Sequence, residues 1–155
     1  MAMSARNESL EAEYPNLASS DYRITSPRTP EYNCFAWAAE EDDRWWSPTD
    51  EQYYWPEGAP TKWDAKTALD TLIQTFALSG YKPCDSADFE PGIQKVAIYI
   101  DSNGMPTHMA RQLSEGRWTS KLGGWEDIEH ELAGVEGMNA YGSVYIILGR
   151  STLEY

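Results

Sequence analysis

Two cysteines, two histidines and three phenylalanines are all the chain of 155 residues contains of those types, and its 12 basic residues face 25 acidic ones. Each shortage excludes something. Cys34 and Cys84 stand far apart in sequence, so they build neither a disulfide framework nor a paired-thiol zinc site, and a bridge between them would need an oxidising compartment. His108 and His130 add no metal set, because Glu129-His130-Glu131 is not zinc-ligand spacing; no metal and no cofactor is expected. A formal net charge of −13 leaves no basic face for phosphate, which argues against nucleic acid and anionic membrane as partners. No apolar run approaches the length of a transmembrane helix. Met1 to Glu13 carries Glu8, Glu11 and Glu13 where a signal peptide would be apolar. These absences lead to the expectation of a cytoplasmic protein, with secretion by a route needing no cleaved signal left open.

What is present is aromatic. Seven Trp and ten Tyr, within 41% hydrophobic content, describe a folded chain and not a disordered acidic one. The length suits one domain. Residues 1–13 read as a flexible acidic tail and 14–155 as a single domain. A first helix is expected from near Tyr32 to Glu41, capped by Thr29 with Pro30 or by Asn33. A second is expected from Ala65 to Leu78, where apolar residues recur at helical spacing before Gly80. Lys95–Asp101 reads as a strand, Asp101–Gly104 as a hairpin turn, Thr107–Leu113 as the returning strand and Arg117–Ser120 as a third. Trp125–Ala133 reads as a short helix, and Tyr141–Gly149 as a closing strand apolar enough to be central. The fold class is α+β, with N-terminal helices packed on a C-terminal antiparallel sheet.

Cys34 is the residue with chemical promise. It falls at a helix start, where unpaired N–H groups and the macrodipole favour thiolate. A histidine on a later strand, His108, would supply the base of a cysteine nucleophile. A third polar group would orient the imidazole; Ser120 on the next strand, Glu126 and Asp127 are the candidates. The plain alternatives are a core thiol and a hydrogen-bonded strand histidine. His130, ringed by carboxylates, reads as a surface histidine with a raised pKa. Trp45, Trp46, Tyr53, Tyr54 and Trp55 either line a substrate groove or form the core of a long loop. The second reading is preferred for the paired Trp, and Trp55 is left open. Cys84 has no base near it in sequence and reads as buried.

The motifs Tyr32-Asn33-Cys34-Phe35-Ala36-Trp37-Ala38, Thr107-His108-Met109-Ala110-Arg111-Gln112 and Trp118-Thr119-Ser120-Lys121-Leu122-Gly123 resemble those of a bacterial family of small proteins without an established function. Arg44-Trp45-Trp46, Tyr54-Trp55-Pro56, Asp127-Ile128-Glu129-His130 and Tyr141-Gly142 extend the likeness from about Pro15 to Arg150. More distantly, the order of helix cysteine and strand histidine is similar to the papain-like cysteine peptidases and amidases. That likeness implies a papain-like fold, Cys34 as nucleophile, His108 as base and Ser120 in the place usually held by His, Asn or Gln.

Two functions are therefore expected. The first is a papain-like hydrolase or acyl transferase acting on an amide or ester bond of a peptide-like substrate. There the Cys34 N–H with the Asn33 or Tyr32 side chain would hold the oxyanion, Trp55 would meet substrate, and Lys121 or Arg111 would select an anionic one. The second is a non-catalytic binding or regulatory protein, of immunity or adaptor type, whose Trp/Tyr loop and acidic surface meet a basic protein partner. Oligomeric state is not legible in the sequence.

Overall fold

The run from Lys95 to Asp101 is apolar on both parities, and a strand made of it needs cover on both faces. The computed structural model of the chain, which describes residues 7–152, provides that cover. Seven strands form one sheet: β1 (Arg23–Ser26), β2 (Lys82–Cys84), β3 (Ile93–Ile100), β4 (Pro106–Gln112), β5 (Trp118–Lys121), β6 (Asp127–His130) and β7 (Ser143–Ser151). Their spatial order is β1-β6-β5-β4-β3-β7-β2, and every neighbouring pair is antiparallel. Strands β3 to β6 form a meander, and β7 returns to the other side of β3. Among the described residues three α-helices accompany them: α1 (Glu8–Glu13), α2 (Cys34–Ala38) and α3 (Ala68–Ala77). The expected α+β class holds; the closing strand β7 is interior but not central, since only β2 separates it from the edge.

The pleat of β3 sends Ala97 and Tyr99 into one core and Val96 and Ile98 into another. The first core is closed by Leu10, Tyr14 and Leu17 from α1 and the 3-10 turn that follows it, Pro15–Ser19. The second is closed by Ala36 and Ala38 of α2, Leu72 and Phe76 of α3, and Trp46. Helical segments thus lie on both faces of the sheet.

Several boundaries differ from expectation. Of the tail expected at 1–13, residues 1–6 lie outside the described residues, but Glu8–Glu13 is helical and not a tail. Asn7 caps it through Ser9 and Leu10 N–H, and Leu10 is fully buried. One apolar side chain among acids suffices when it has a core to enter. The helix expected at Trp125–Ala133 is instead strand β6 followed by a 3-10 turn, Leu132–Val135. Ile128 and Leu132 have helical spacing, but β6 supplies the backbone partners that β1 and β5 need, and that pairing wins.

Helix α2 is five residues long because both ends are capped. Asn33 Oδ1 accepts the Ala36 N–H at 3.2 Å. At the other end Glu41 N–H reaches Ala36 O at 2.9 Å and Glu40 N–H reaches Trp37 O at 3.0 Å. This is a Schellman closure, and it puts Glu40 at φ 66°, a left-handed position that glycine usually takes. α3 begins at Ala68, since Asp64 Oδ1 draws the N–H groups of Lys66 and Thr67 into a turn.

Candidate functional site

Helix α2 packs across β4 and β5. Trp37 anchors it there: its indole N–H donates to Thr119 Oγ1 at 3.0 Å, and its carbonyl accepts from Arg111 Nε at 3.0 Å. Cys34 is the first residue of α2. The residue is only half-buried, yet burial of its sulfur pushes the thiol up to about 11, against the pull of the Met109, Phe35 and Cys34 N–H groups and the Lys121 charge. The thiolate bias expected of a helix start is thus overturned, since one short turn cannot offset the desolvation of the sulfur. Cys34 and Cys84 are both free thiols. Cys84 is half-buried, not buried as expected, with its S–H 3.5 Å from Ser86 O.

His108 lies on β4 beside Met109 but projects to the other face, and it is fully buried. Its ring is stacked on Tyr141 and tilted against Tyr99. Desolvation holds its pKa well below the ordinary value, with His130 acting the same way, so the ring is neutral at pH 7. No hydrogen bond joins it to Cys34: His108 Nδ1 has no partner among the described residues. The β4–β5 backbone ladder consists of Arg111↔Thr119 and Gln112↔Trp118. Beyond it, towards His108, a side-chain bond links the strands, between His108 Nε2 and Ser120 Oγ at 2.7 Å. Of the expected trio, then, the structure brings His108 and Ser120 together, and sets Cys34 against the backbone next to them.

The bond goes further than the sequence foretold. Ser120 Oγ lies 2.7 Å from His130 Nε2, and His130 Nδ1 lies 2.6 Å from Glu131 O. His130 is not a surface histidine with a raised pKa. It is fully buried, and burial holds it down to about 4. The helix expected around it hid this, because on a helix its neighbours would have been carboxylates. On β6 its partners are the inward residues of β5. Tyr141, the other residue missed, had no signal beyond its place in the Tyr141-Gly142 motif.

The remaining candidates have structural partners. Asp127 accepts from Thr25 Oγ1, Ser26 Oγ and, at 2.6 Å, Tyr32 O–H, tying β1 and the approach to α2 onto β6. It therefore does not orient His108, and neither does Glu126, which pairs with Arg28 at 3.2 Å. Tyr32 gives its proton to Asp127, so it holds no oxyanion. Asn33 is engaged as well: its Nδ2 donates to Trp46 O at 2.7 Å, and its Oδ1 serves Ala36 and Trp46 N–H. Of the first-turn N–H groups of α2, that of Ala36 is taken by Asn33, and those of Cys34 and Phe35 have no intrahelical acceptor.

Lys121 does not select substrate either. Its ammonium is buried and donates to three carbonyls, Thr29 O at 2.8 Å, Gly123 O at 2.6 Å and Trp125 O at 2.6 Å. Arg111 is half-buried on Trp37. Trp46 belongs to the second core, while Trp55 packs edge-on against Phe35, Trp46 and Trp63 and donates to Pro60 O at 3.0 Å. The loop reading prevails for Trp46, and Trp55 joins it. Tyr53 alone among these aromatics stands well exposed.

No group of three or more His, Cys, Asp or Glu side chains among the described residues is arranged to hold a metal ion. No helix among them is long and apolar enough to cross a membrane.

The family model described as "Domain of unknown function (DUF7689)" matches residues 23–149, and the chain belongs to that family. No curated protein and no solved structure matches it. Cys34, His108, Ser120, His130 and Tyr141 all fall within the matched span, whereas α1 precedes it.

Proposed function

We propose that this member of the family is a papain-like cysteine hydrolase or acyl transferase of the cytoplasm, acting on an amide or ester bond of a peptide-like substrate. The observation that carries the reading is the buried, neutral His108, whose Nδ1 lacks a partner among the described residues and which sits at the strand position next to Met109, the residue whose N–H acts on the Cys34 thiol. The resting pair is thiol and imidazole, not thiolate and imidazolium, so activation is by general base catalysis. As substrate enters, Cys34 Sγ closes to hydrogen-bond distance of His108 Nδ1, about 3 Å. The thiol proton passes to Nδ1 while sulfur attacks the carbonyl carbon. The Cys34 N–H stabilises the oxyanion. His108 then returns the proton to the leaving amine or alcohol, and water or an acceptor nucleophile releases the acyl group from the thioester.

Intact-mass detection of acyl transfer from an activated ester and from a thioester tests this. A single adduct on Cys34 is expected, absent from Cys34→Ala and strongly slowed in His108→Gln. Undiminished turnover in Cys34→Ala would sink the reading.

A second reading has its own observation. A thiol near 11 without a bond to His108 also suits a non-catalytic binding protein whose acidic surface, with Tyr53 exposed on it, meets a basic partner. An adduct no faster than that of denatured protein favours this one.

A further inference from the structure

Proton counting fixes the direction of each bond in the row His108, Ser120, His130, Glu131. A carbonyl oxygen can only accept, so His130 Nδ1, 2.6 Å from Glu131 O, carries a proton. Full burial keeps that ring neutral, so its Nε2 is bare and accepts the Ser120 hydroxyl at 2.7 Å. Serine has one proton. Having given it to His130, Ser120 can only accept from His108 Nε2, also at 2.7 Å. His108 therefore carries its proton on Nε2 and offers a lone pair on Nδ1, the atom that has no partner among the described residues.

We infer that His130 is a positioning residue: acting through Ser120, it fixes His108 in the Nε2–H tautomer and so leaves Nδ1 free to accept a proton. The inference takes its functional meaning from the cysteine–histidine reading above. It also explains how serine can stand in an orienting position. A lone hydroxyl can turn to donate or to accept, so by itself it imposes no tautomer on a neighbouring imidazole. Ser120 is made one-directional by the acceptor behind it, and His130 is made an acceptor by a backbone carbonyl that never reverses. The three side chains run diagonally across β4, β5 and β6, all fully buried, so no solvent competes for the protons. Tyr141 packs on the His108 ring and leaves the edge hydrogen bonds undisturbed.

The test uses the full chain labelled with 15N-histidine. Two imidazoles make an uncrowded spectrum. At pH 7.5 the two rings are expected in opposite tautomers, His108 protonated on Nε2 and His130 on Nδ1. His130→Gln keeps a carbonyl to accept from Ser120 and should preserve the His108 pattern. His130→Leu removes the acceptor, and His108 should then shift towards the Nδ1–H form, with Cys34 adduct formation slowed at least about 10-fold. Like tautomers in the wild type overturn the inference, and so does an unchanged His108 in folded His130→Leu. Should His130→Leu fail to fold, the wild-type and His130→Gln spectra still decide, since a proton on His108 Nδ1 in either is fatal. Opposite tautomers without any Cys34 adduct would refute the hydrolase reading and leave the tautomer assignment standing.

Discussion

Tyr141 lies flat on His108, with ring centroids 3.9 Å apart and planes 2° from parallel. The loop that carries Tyr141 is fixed by two hydrogen bonds between Gly137 and Gly142, at 2.8 and 2.9 Å, and its hydroxyl meets that of Tyr14 at 2.9 Å. Gly142 has φ +79°, and a Cβ there would fall 1.9 Å from Ile100 O. Gly142→Ala should therefore strain the backbone and push Tyr141 off the imidazole, at a loss of about 2–4 kcal/mol. Gly104→Ala, at φ +82° in open space, isolates the strain alone and should lose about 1 kcal/mol. Urea midpoints of the two variants test the difference.

His130 makes stability depend on acid. Its folded-state pKa of about 4 lies below its ordinary 6.5, so the unfolded chain binds the proton more tightly. The associated stability is complete above about pH 6.5 and is lost as pH falls towards 4, roughly 3 kcal/mol in all. His108, also lowered, acts in the same direction. Urea denaturation at pH 7.5, 6, 5 and 4 should show a steeper decline for the wild type than for His130→Gln. Equal slopes would be evidence against it.

Cys34 should be slow to alkylate. With the thiol near 11, its thiolate fraction at pH 7 is about 300-fold below that of a free cysteine. In a Cys84→Ser background, iodoacetamide labelling should stay slow at pH 7, and climb as pH is raised well beyond the range where ordinary thiols level off. Fast labelling at pH 6 would contradict the desolvated sulfur.

Glu40 pays for the end of α2. A left-handed conformation costs an L-residue about 1 kcal/mol, and the ion pair with Arg150 at 3.3 Å is too exposed to repay it fully. Glu40→Gly should raise the melting temperature by a few degrees, or about 0.5–1 kcal/mol. A fall would mean that the Arg150 contact dominates.

Leu10 should behave as a core residue although it precedes the matched family span. Leu10→Ala is expected to lose about 2–5 kcal/mol by chemical denaturation, in contrast to a change within ±0.5 kcal/mol for an exposed position.

The sheet was legible in sequence where strands are apolar and turns carry glycine: β3, the Asp101–Gly104 turn, β4 and β7 all lie within a few residues of where periodicity puts them. What failed depends on tertiary partners. α1 needs a core supplied by residues far along the chain, and β6 needs β1 and β5 before strand becomes preferable to helix. The same cause runs through the site. Cys34, His108 and Ser120 stand out by residue type, but the role of His130 depends on which element carries it. Burial then reverses two electrostatic expectations: a helix-start thiol rises, and a histidine among carboxylates falls. Asn33, Tyr32 and Lys121 look free in a sequence because their acceptors, Trp46, Asp127 and three backbone carbonyls, come from other segments.

The three carbonyls around the Lys121 ammonium come from two segments far apart in the chain, Thr29 ahead of α2 and Gly123 and Trp125 after β5. The amine thus behaves as a captive ion that the chain supplies to itself. Acylating reagents and cyanate can reach it only when those segments have come apart. A modified Lys121 would therefore be a chemical record of time the molecule has passed unfolded, kept beside lysines that are open to reagent throughout its life.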